Sequence, residues 1–163
     1  MEGNLKNVLF LCTGNSSRSI LAEAAMRALG KGRFRVFSAG SHPAGRANPF
    51  TLEALRDRGL PTEGLRSKSW EELAGPDAPR LDFVFTLCDK VAREACPAWP
   101  GHPATAHWGV EDPGHAPDPE KKRQAFKAAL VTIIRRIELF LALPDPALDA
   151  AKLQTSLAEI GTR

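Results

Sequence analysis

Apolar runs alternate with amphipathic segments along most of the chain. The apolar runs, continuous or alternating, predict strands at Val8–Leu11, Arg33–Ala39, Leu81–Leu87 and Ala104–Trp108. Apolar residues at helical spacing predict helices at Ser19–Leu29 and Pro49–Gly59 and shorter helical turns at Trp70–Ala74 and Lys90–Ala95. Because strands that alternate with helices are typical of an α/β fold, we expect a four-stranded parallel sheet with helices on both faces.

The C-terminal part of the chain is predicted to be helical. Pro119–Leu143 carries a long apolar stripe and gives the longest helix, and Ala147–Ile160 is a further amphipathic segment. Pro144 and Pro146 separate the two, because proline ends a helix. We therefore predict one domain over residues 1–143 and a helical extension over residues 144–163, which packs on that domain rather than on a second subunit.

The size and charge of the chain restrict its class of function. A chain of 163 residues with a formal net charge of +3 suits one soluble domain, and its interspersed acids and bases do not suggest nucleic-acid binding. No apolar run approaches the roughly 20 residues that span a membrane, and the N-terminus has no apolar signal core, so we expect a cytoplasmic protein. The three cysteines, an odd number, indicate reactive thiols rather than a disulfide framework.

The first predicted strand ends in a stretch with the chemistry of an oxyanion site. Cys12 follows the strand, Arg18 precedes a helix that opens at Ser19, and the residues between are Thr13, Gly14, Asn15, Ser16 and Ser17. The amides of such a loop point at an anion, and the helix dipole favours negative charge there. Arg18 adds a planar fork, and the same field, with the Ser19 hydroxyl, stabilises the attacking thiolate of Cys12. A buried structural cysteine beside a solvated arginine is the plainer alternative, but it does not explain this order of residues.

Other predicted strands end at the same edge of the sheet. The second ends in the small residues Ser38 to Ser41, which either neighbour the Cys12 loop or form a plain turn. The third ends at Cys88, eight positions before Cys96. Eight residues span ~12 Å of helix and a disulfide needs Cα atoms within about 7 Å, so these two cysteines can bond only if the segment bends.

Two hypotheses explain the presence of the later cysteines. Cys88 and Cys96 are either unrelated structural thiols or, with Cys12, members of a thiol relay. They do not have the close spacing of structural zinc ligands, so we expect no metal site with His102 and His107. We expect His107 instead to end a strand with its ring hydrogen-bonded.

Several segments resemble the low-molecular-weight protein tyrosine phosphatase superfamily, and within it the arsenate reductase branch. Val8–Ser19 is similar to the catalytic loop of the superfamily. The segments similar to bacterial arsenate reductases are Asn48–Leu52, Leu65–Trp70, Thr86–Asp89, Cys96–Gly101 and Thr105–Pro113. The resemblance runs from about Asn7 to the end of the chain. It implies the phosphatase-like fold and a Cys12 nucleophile in an oxyanion loop that comprises residues 12–19.

Asp112 is the candidate general acid. Asp118 and Asp145 also precede proline, but helical patterns follow them. We therefore predict that both residues are helix caps. Asp112 is followed by a loop and is expected to be free for another role. The resemblance supports this choice, because an Asp-Pro pair carries the general acid of the superfamily. Phosphatase members usually place aromatic residues after that pair, whereas Gly114, His115 and Ala116 follow here.

The resemblance implies a cytoplasmic arsenate reductase that needs no metal or organic cofactor. Cys12 attacks arsenic, Cys88 attacks Cys12, and Cys96 then attacks Cys88. The implied reductant is thioredoxin, with glutathione and glutaredoxin as the second candidate, and phosphate or sulfate would mimic arsenate. The main alternative is a phosphatase that uses Cys12, Arg18 and Asp112 and passes its covalent intermediate to water. A non-catalytic module that binds an oxyanion or a metal is a further alternative.

Overall fold

The computed structural model of the chain describes residues 5–93, 99, 101–143 and 150–163. Within these residues the strands are β1 (Lys6–Leu11), β2 (Phe34–Ala39), β3 (Phe83–Thr86) and β4 (Ala104–His107). The α-helices are α1 (Arg18–Leu29), α2 (Pro49–Asp57), α3 (Asp89–Arg93), α4 (Pro119–Leu141) and α5 (Ala150–Ile160). Short 3-10 helices lie at Trp70–Leu73 and Pro113–His115.

The four strands form one parallel sheet in the order β2-β1-β3-β4, with helices around it. Leu11 at the end of β1 is in register with Ala39 of β2 and with Thr86 of β3. Thr86 is in turn in register with His107 at the end of β4. The carboxyl ends of all four strands therefore lie at one edge of the sheet, and the predicted fold class is confirmed.

The core is centred on β1 and on an aromatic cluster beside β3. Val8 to Leu11 are at most 1% exposed, which explains the uninterrupted apolar run that predicted the strand. Phe85 stacks on Trp108 with ring centroids 3.9 Å apart, and Phe140 of α4 packs edge-on against both. This cluster fixes the ends of β3 and β4 relative to each other.

Side-chain caps start the helices where the sequence predicts them. Asn48 accepts a hydrogen bond from Phe50 N at the start of α2, and Asp118 accepts one from Lys121 N at the start of α4. Ser69 likewise caps the 3-10 helix that follows it. Asp145, the other predicted cap, lies outside the described residues. Of the helices that the structure describes, none has the length and apolar character needed to cross a membrane.

Helix α5 lies along β4, the edge strand of the sheet. The indole Nε1 of Trp108 donates to the carbonyl of Leu157 at 3.0 Å, and the Gln154 side chain donates to the carbonyl of Thr105. Leu157 and Ile160 are buried by this contact. The predicted division of the chain at residues 143 and 144 remains a prediction, because residues 144–149 lie outside the described residues.

Candidate active site

The two described cysteines lie at the same edge of the sheet. Cys12 directly follows β1, and Cys88 comes two residues after β3, the strand that pairs with β1. Leu87 N donates to Leu11 O at 2.8 Å, so the pairing extends to the residues beside both thiols. Both thiols are free and both residues are buried, at 3% and 5% exposure. Cys96 lies outside the described residues.

The carbonyl groups of the oxyanion loop (residues 12–19) are held away from its interior. The carbonyls of Thr13, Gly14 and Ser16 each accept at least one hydrogen bond from outside the loop. The donors are His42 N, Ala44 N, Asn48 N, Thr51 Oγ1 and Ser67 Oγ, at 2.8 to 3.1 Å. Because the C=O and the next N–H of a trans peptide point in opposite directions, these contacts turn the N–H groups inward.

The N–H groups of the loop are available to an anion. None of the backbone N–H groups from Thr13 to Ser19 donates a hydrogen bond to a residue that the structure describes. Helix α1 opens at Arg18, and the preceding Ser17 provides no side-chain cap. The first N–H groups of α1 therefore have no capping partner, and they add the positive end of the helix dipole to the site. This arrangement suits a tetrahedral oxyanion.

A chain of hydrogen bonds reaches the Cys12 sulfur through the loop. Asn15 is buried at a φ of 45°, a conformation that asparagine tolerates better than most residues. Its Nδ2 donates to Ser19 Oγ at 2.7 Å and to Ser38 Oγ at 3.0 Å. Because Ser19 Oγ accepts from Asn15, its own proton is free to be donated to Cys12 Sγ, 2.9 Å away. The Cys12 sulfur is thus connected through Ser19 to Asn15 and Ser38.

Charged side chains, of which Glu23 is buried, contact this chain of hydrogen bonds. Ser38 Oγ donates to the buried carboxylate of Glu23 at 2.5 Å, and Glu23 also pairs with Arg27. The ammonium of Lys68 donates to the Ser38 carbonyl at 2.7 Å, and its backbone N–H donates to Asn15 Oδ1 at 2.8 Å. Burial lowers the pKa of Lys68, and the nearby Glu23 carboxylate opposes this effect. The Lys68 contacts fix which end of the Asn15 amide faces Ser19.

The loop after β2 packs directly against the oxyanion loop. A Cβ on Gly40 would contact the carbonyl of Thr13 and would lie 2.7 Å from the carbonyl of Cys12. Gly40 N also donates to Lys68 O at 2.9 Å, and Trp70 N donates to Gly40 O at 2.9 Å. The sequence left open whether residues 38–41 neighbour the Cys12 loop or form a plain turn, and the structure shows that they neighbour the loop.

Replacing Gly40 by alanine is expected to destabilise the fold by about 1–3 kcal/mol, because backbone atoms on both sides cannot move apart cheaply. We also expect weaker phosphate binding, since the displaced carbonyls belong to the oxyanion loop. Urea unfolding and phosphate titration measure the two effects. Gly75→Ala is the matched control, because a Cβ at Gly75 meets no atom within 4 Å. Equal unfolding free energies for the two variants would contradict the close contact.

Arg18 extends across the site to the loop after β4. Its Nη1 donates to Val110 O at 2.9 Å, and its Nη2 lies 3.8 Å from Asp112 Oδ2. Its Nε is buried and has no hydrogen-bond partner among the described residues. The guanidinium thus retains a free donor beside the oxyanion loop, as an arginine that binds an oxyanion requires.

The two carboxyl oxygens of Asp112 have different partners. Oδ1 accepts from Gly114 N at 2.9 Å and caps the 3-10 helix Pro113–His115, while Oδ2 faces Arg18 and lies 3.3 Å from His115 Nε2. The expectation that Asp112 is not a cap was therefore wrong, because a 3-10 turn follows it where the sequence suggested an open loop. Only Oδ2 is directed at the site, and the role of general acid stays a prediction.

Cys88 is connected to the oxyanion loop by a side-chain contact. Its Sγ lies 3.2 Å from Thr13 Oγ1 and accepts a hydrogen bond of 3.5 Å from Val91 N in α3. An open cleft of about 680 Å³ covers this region. Its lining residues are Thr13, Arg18, Cys88, Asp89, Lys90, Gly109, Val110, Glu111, Asp112 and His115. The structure thus brings Cys12, Arg18, Asp112 and Cys88 to one site.

Three supporting contacts of the site were not predicted. The sequence analysis did not identify Lys68 as a partner of Asn15, Val110 as a partner of Arg18, or Thr13 as a partner of Cys88. Val110 contributes only a backbone carbonyl, which carries no side-chain signal. Lys68 stands between two serines in a predicted connection, where a lysine usually extends into solvent.

Comparisons with known proteins identify a family and several relatives of the chain. The model of the family described as low molecular weight phosphotyrosine protein phosphatase matches residues 7–153. The arsenate reductase of Bacillus licheniformis is 38% identical over 123 residues, covering 74% of this chain and 84% of that protein. The arsenate reductase of Bacillus subtilis is 33% identical over 121 residues, with coverage of 74% and 84%.

Solved structures are similar over the same region. A structure described as an arsenate reductase in the phosphate binding state has a TM-score of 0.70 and 26% identity, covering 85% of this chain and 98% of that chain. A tyrosine phosphatase from Erwinia amylovora has a TM-score of 0.62 at 18% identity, a likeness that concerns the fold alone.

Proposed function

The chain belongs to the low molecular weight phosphotyrosine protein phosphatase family, and from that premise we propose that it reduces arsenate to arsenite with its own thiols. Two relatives that are 38% and 33% identical are arsenate reductases. The observation that carries the proposal is the second thiol: Cys88 lies beside the oxyanion loop, in contact with Thr13. A hydrolytic phosphatase has no use for a thiol at that position.

The proposed reaction begins with the thiolate of Cys12. Arsenate binds to the inward N–H groups of the loop and to Arg18, and Cys12 Sγ forms a bond to arsenic. Asp112 gives a proton to the oxygen that leaves as water. Cys88 then attacks Cys12 Sγ: a disulfide forms, the sulfur–arsenic bond breaks, and its electron pair reduces arsenic from the +5 to the +3 state.

A third thiol would restore the oxyanion loop. Cys96 attacks Cys88, which releases the thiolate of Cys12 and leaves a disulfide between Cys88 and Cys96. An external dithiol then reduces this disulfide. We propose thioredoxin as that reductant, with glutathione and glutaredoxin as the second candidate, and the cytoplasm as the location, since the relay needs reduced thiols.

The test follows both products of one turnover. Fully reduced protein is mixed with arsenate in the absence of any reductant, and arsenite and free thiols are measured. We expect arsenite in a one-to-one ratio with the protein and the loss of a pair of thiols from each chain. Adding reduced thioredoxin should make arsenite formation continuous, and a small aryl phosphate, assayed in parallel, should be hydrolysed slowly.

Each alternative function predicts a different result. A phosphatase hydrolyses the aryl phosphate and forms no arsenite. A module that only binds an oxyanion shows neither activity but still binds phosphate. Arsenite formation without loss of thiols would contradict the relay while leaving arsenate reduction in place.

A further inference from the structure

The ring of His107 connects the two residues that lie on either side of the Leu87–Cys88 pair. Its Nδ1 is 2.8 Å from Thr86 Oγ1 at the end of β3, and its Nε2 is 2.8 Å from Asp89 Oδ1 at the start of α3. With the proton on Nε2, the ring donates to the Asp89 carboxylate and accepts from the Thr86 hydroxyl. One side chain, itself partly exposed, therefore links the start of α3 to the end of β3.

The position of the ring is itself constrained by backbone packing. A Cβ on Gly109 would lie 2.8 Å from His107 Nε2, so the ring lies directly against the Gly109 backbone. Trp108 N donates to Thr86 O at 2.7 Å, which holds the strand end that carries the ring against β3. The Gly109 backbone therefore blocks rotation of the ring in that direction.

We propose that His107 is a positioning residue for Cys88, a role that rests on the thiol chemistry proposed above. Cys88 Sγ contacts Thr13 of the oxyanion loop and accepts a hydrogen bond from Val91 N of α3, so its position is linked to that of the helix. By holding Asp89, His107 keeps the Cys88 sulfur buried beside the oxyanion loop for its attack on Cys12.

His107→Asn and His107→Gln separate the two hydrogen bonds. The amide of asparagine reaches the Nδ1 position and can keep the Thr86 contact, whereas the amide of glutamine reaches the Nε2 position and can keep the Asp89 contact. Both are made in a Cys96→Ser background, in which the disulfide stops between Cys12 and Cys88. His102→Asn is the matched control, because His102 is exposed at the other end of β4 and its φ of 50° suits asparagine.

The first measurement is the rate of disulfide formation after arsenate is added. We expect His107→Asn to slow it about 3- to 10-fold, the effect of losing the hydrogen bond to Asp89, and His107→Gln to keep most of the rate. Asp89→Ala should match His107→Asn, and the double variant should be no slower than either single variant. Hydrolysis of an aryl phosphate, which needs Cys12 but not Cys88, should stay unchanged.

The second measurement does not depend on arsenate chemistry. Iodoacetamide should alkylate Cys88 several-fold faster in His107→Asn than in the control, because the thiol is less well held in its buried position, while the alkylation rate of Cys12 stays the same. Equal rates for Cys88 in both proteins, or equal losses of disulfide formation and phosphate hydrolysis, would overturn the inference. If the parent forms no disulfide but the alkylation rates differ, the relay is wrong and the positioning role stands.

Discussion

Replacing Cys88 by serine is expected to abolish arsenate-dependent oxidation of thioredoxin, with a loss of at least about 10³-fold. A serine hydroxyl keeps the size of the side chain and can keep the contact with Thr13 Oγ1, now 3.2 Å from the sulfur, but it cannot form a disulfide with Cys12. Hydrolysis of an aryl phosphate should continue, because the oxyanion loop, Arg18 and Asp112 are unchanged. Thioredoxin oxidation and phosphate hydrolysis, measured on one protein preparation, give the comparison.

Cys96→Ser is the matched control for the second thiol. It should still release arsenite once, since Cys12 and Cys88 remain, and then stop with a disulfide between them. Mass spectrometry of the alkylated protein identifies that disulfide. Continuous arsenate turnover in Cys88→Ser at the wild-type rate would remove Cys88 from the reaction and leave the proposal without its main support.

Replacing Arg18 by lysine is expected to lower kcat/KM for arsenate about 10²- to 10³-fold, the usual effect of removing an oxyanion donor. The charge is kept, but the planar fork that can pair with two oxygens is lost. The same loss is expected for aryl phosphate hydrolysis, because both reactions place an oxyanion in the same loop. Arg18→Lys therefore affects both activities, whereas Cys88→Ser affects only one.

Arg66→Lys is the matched control for the change of cation. The side chain of Arg66 is exposed and pairs with Glu72 at 2.8 Å. A surface pair of this kind contributes little, so both activities should stay within about twofold of wild type. An Arg18→Lys protein that behaves like the Arg66→Lys protein would show that the fork does not bind the oxyanion.

The sequence predicted β1 well because this strand is buried on both faces after its first residue. Val8–Leu11 has no polar position at all, and Asp118 marks a helix start by the local chemistry of capping. Parallel pairing alone predicted that the carboxyl ends of the four strands lie at one edge of the sheet. It brought Cys12 and Cys88 to one edge without any knowledge of the contacts between them.

The rest of the site depends on contacts between residues far apart in the chain. Lys68 lies 53 positions from its partner Asn15, and Val110 lies 92 positions from Arg18, so no local pattern connects them. The role of Asp112 as a cap was missed for a related reason: a single 3-10 turn is too short to give a periodic signal. The pairing of Cys88 with Cys96 remains a prediction.

The position of α5 along β4 has a consequence for the behaviour of the protein at high concentration. An edge strand exposes unpaired carbonyl and N–H groups that can recruit a strand from another molecule and start aggregation. Gln154 donates a hydrogen bond to the Thr105 carbonyl, and α5 packs against that strand. The match to the family ends at residue 153, so Gln154 and the residues of α5 after it, which include the buried Leu157 and Ile160, lie beyond the matched region.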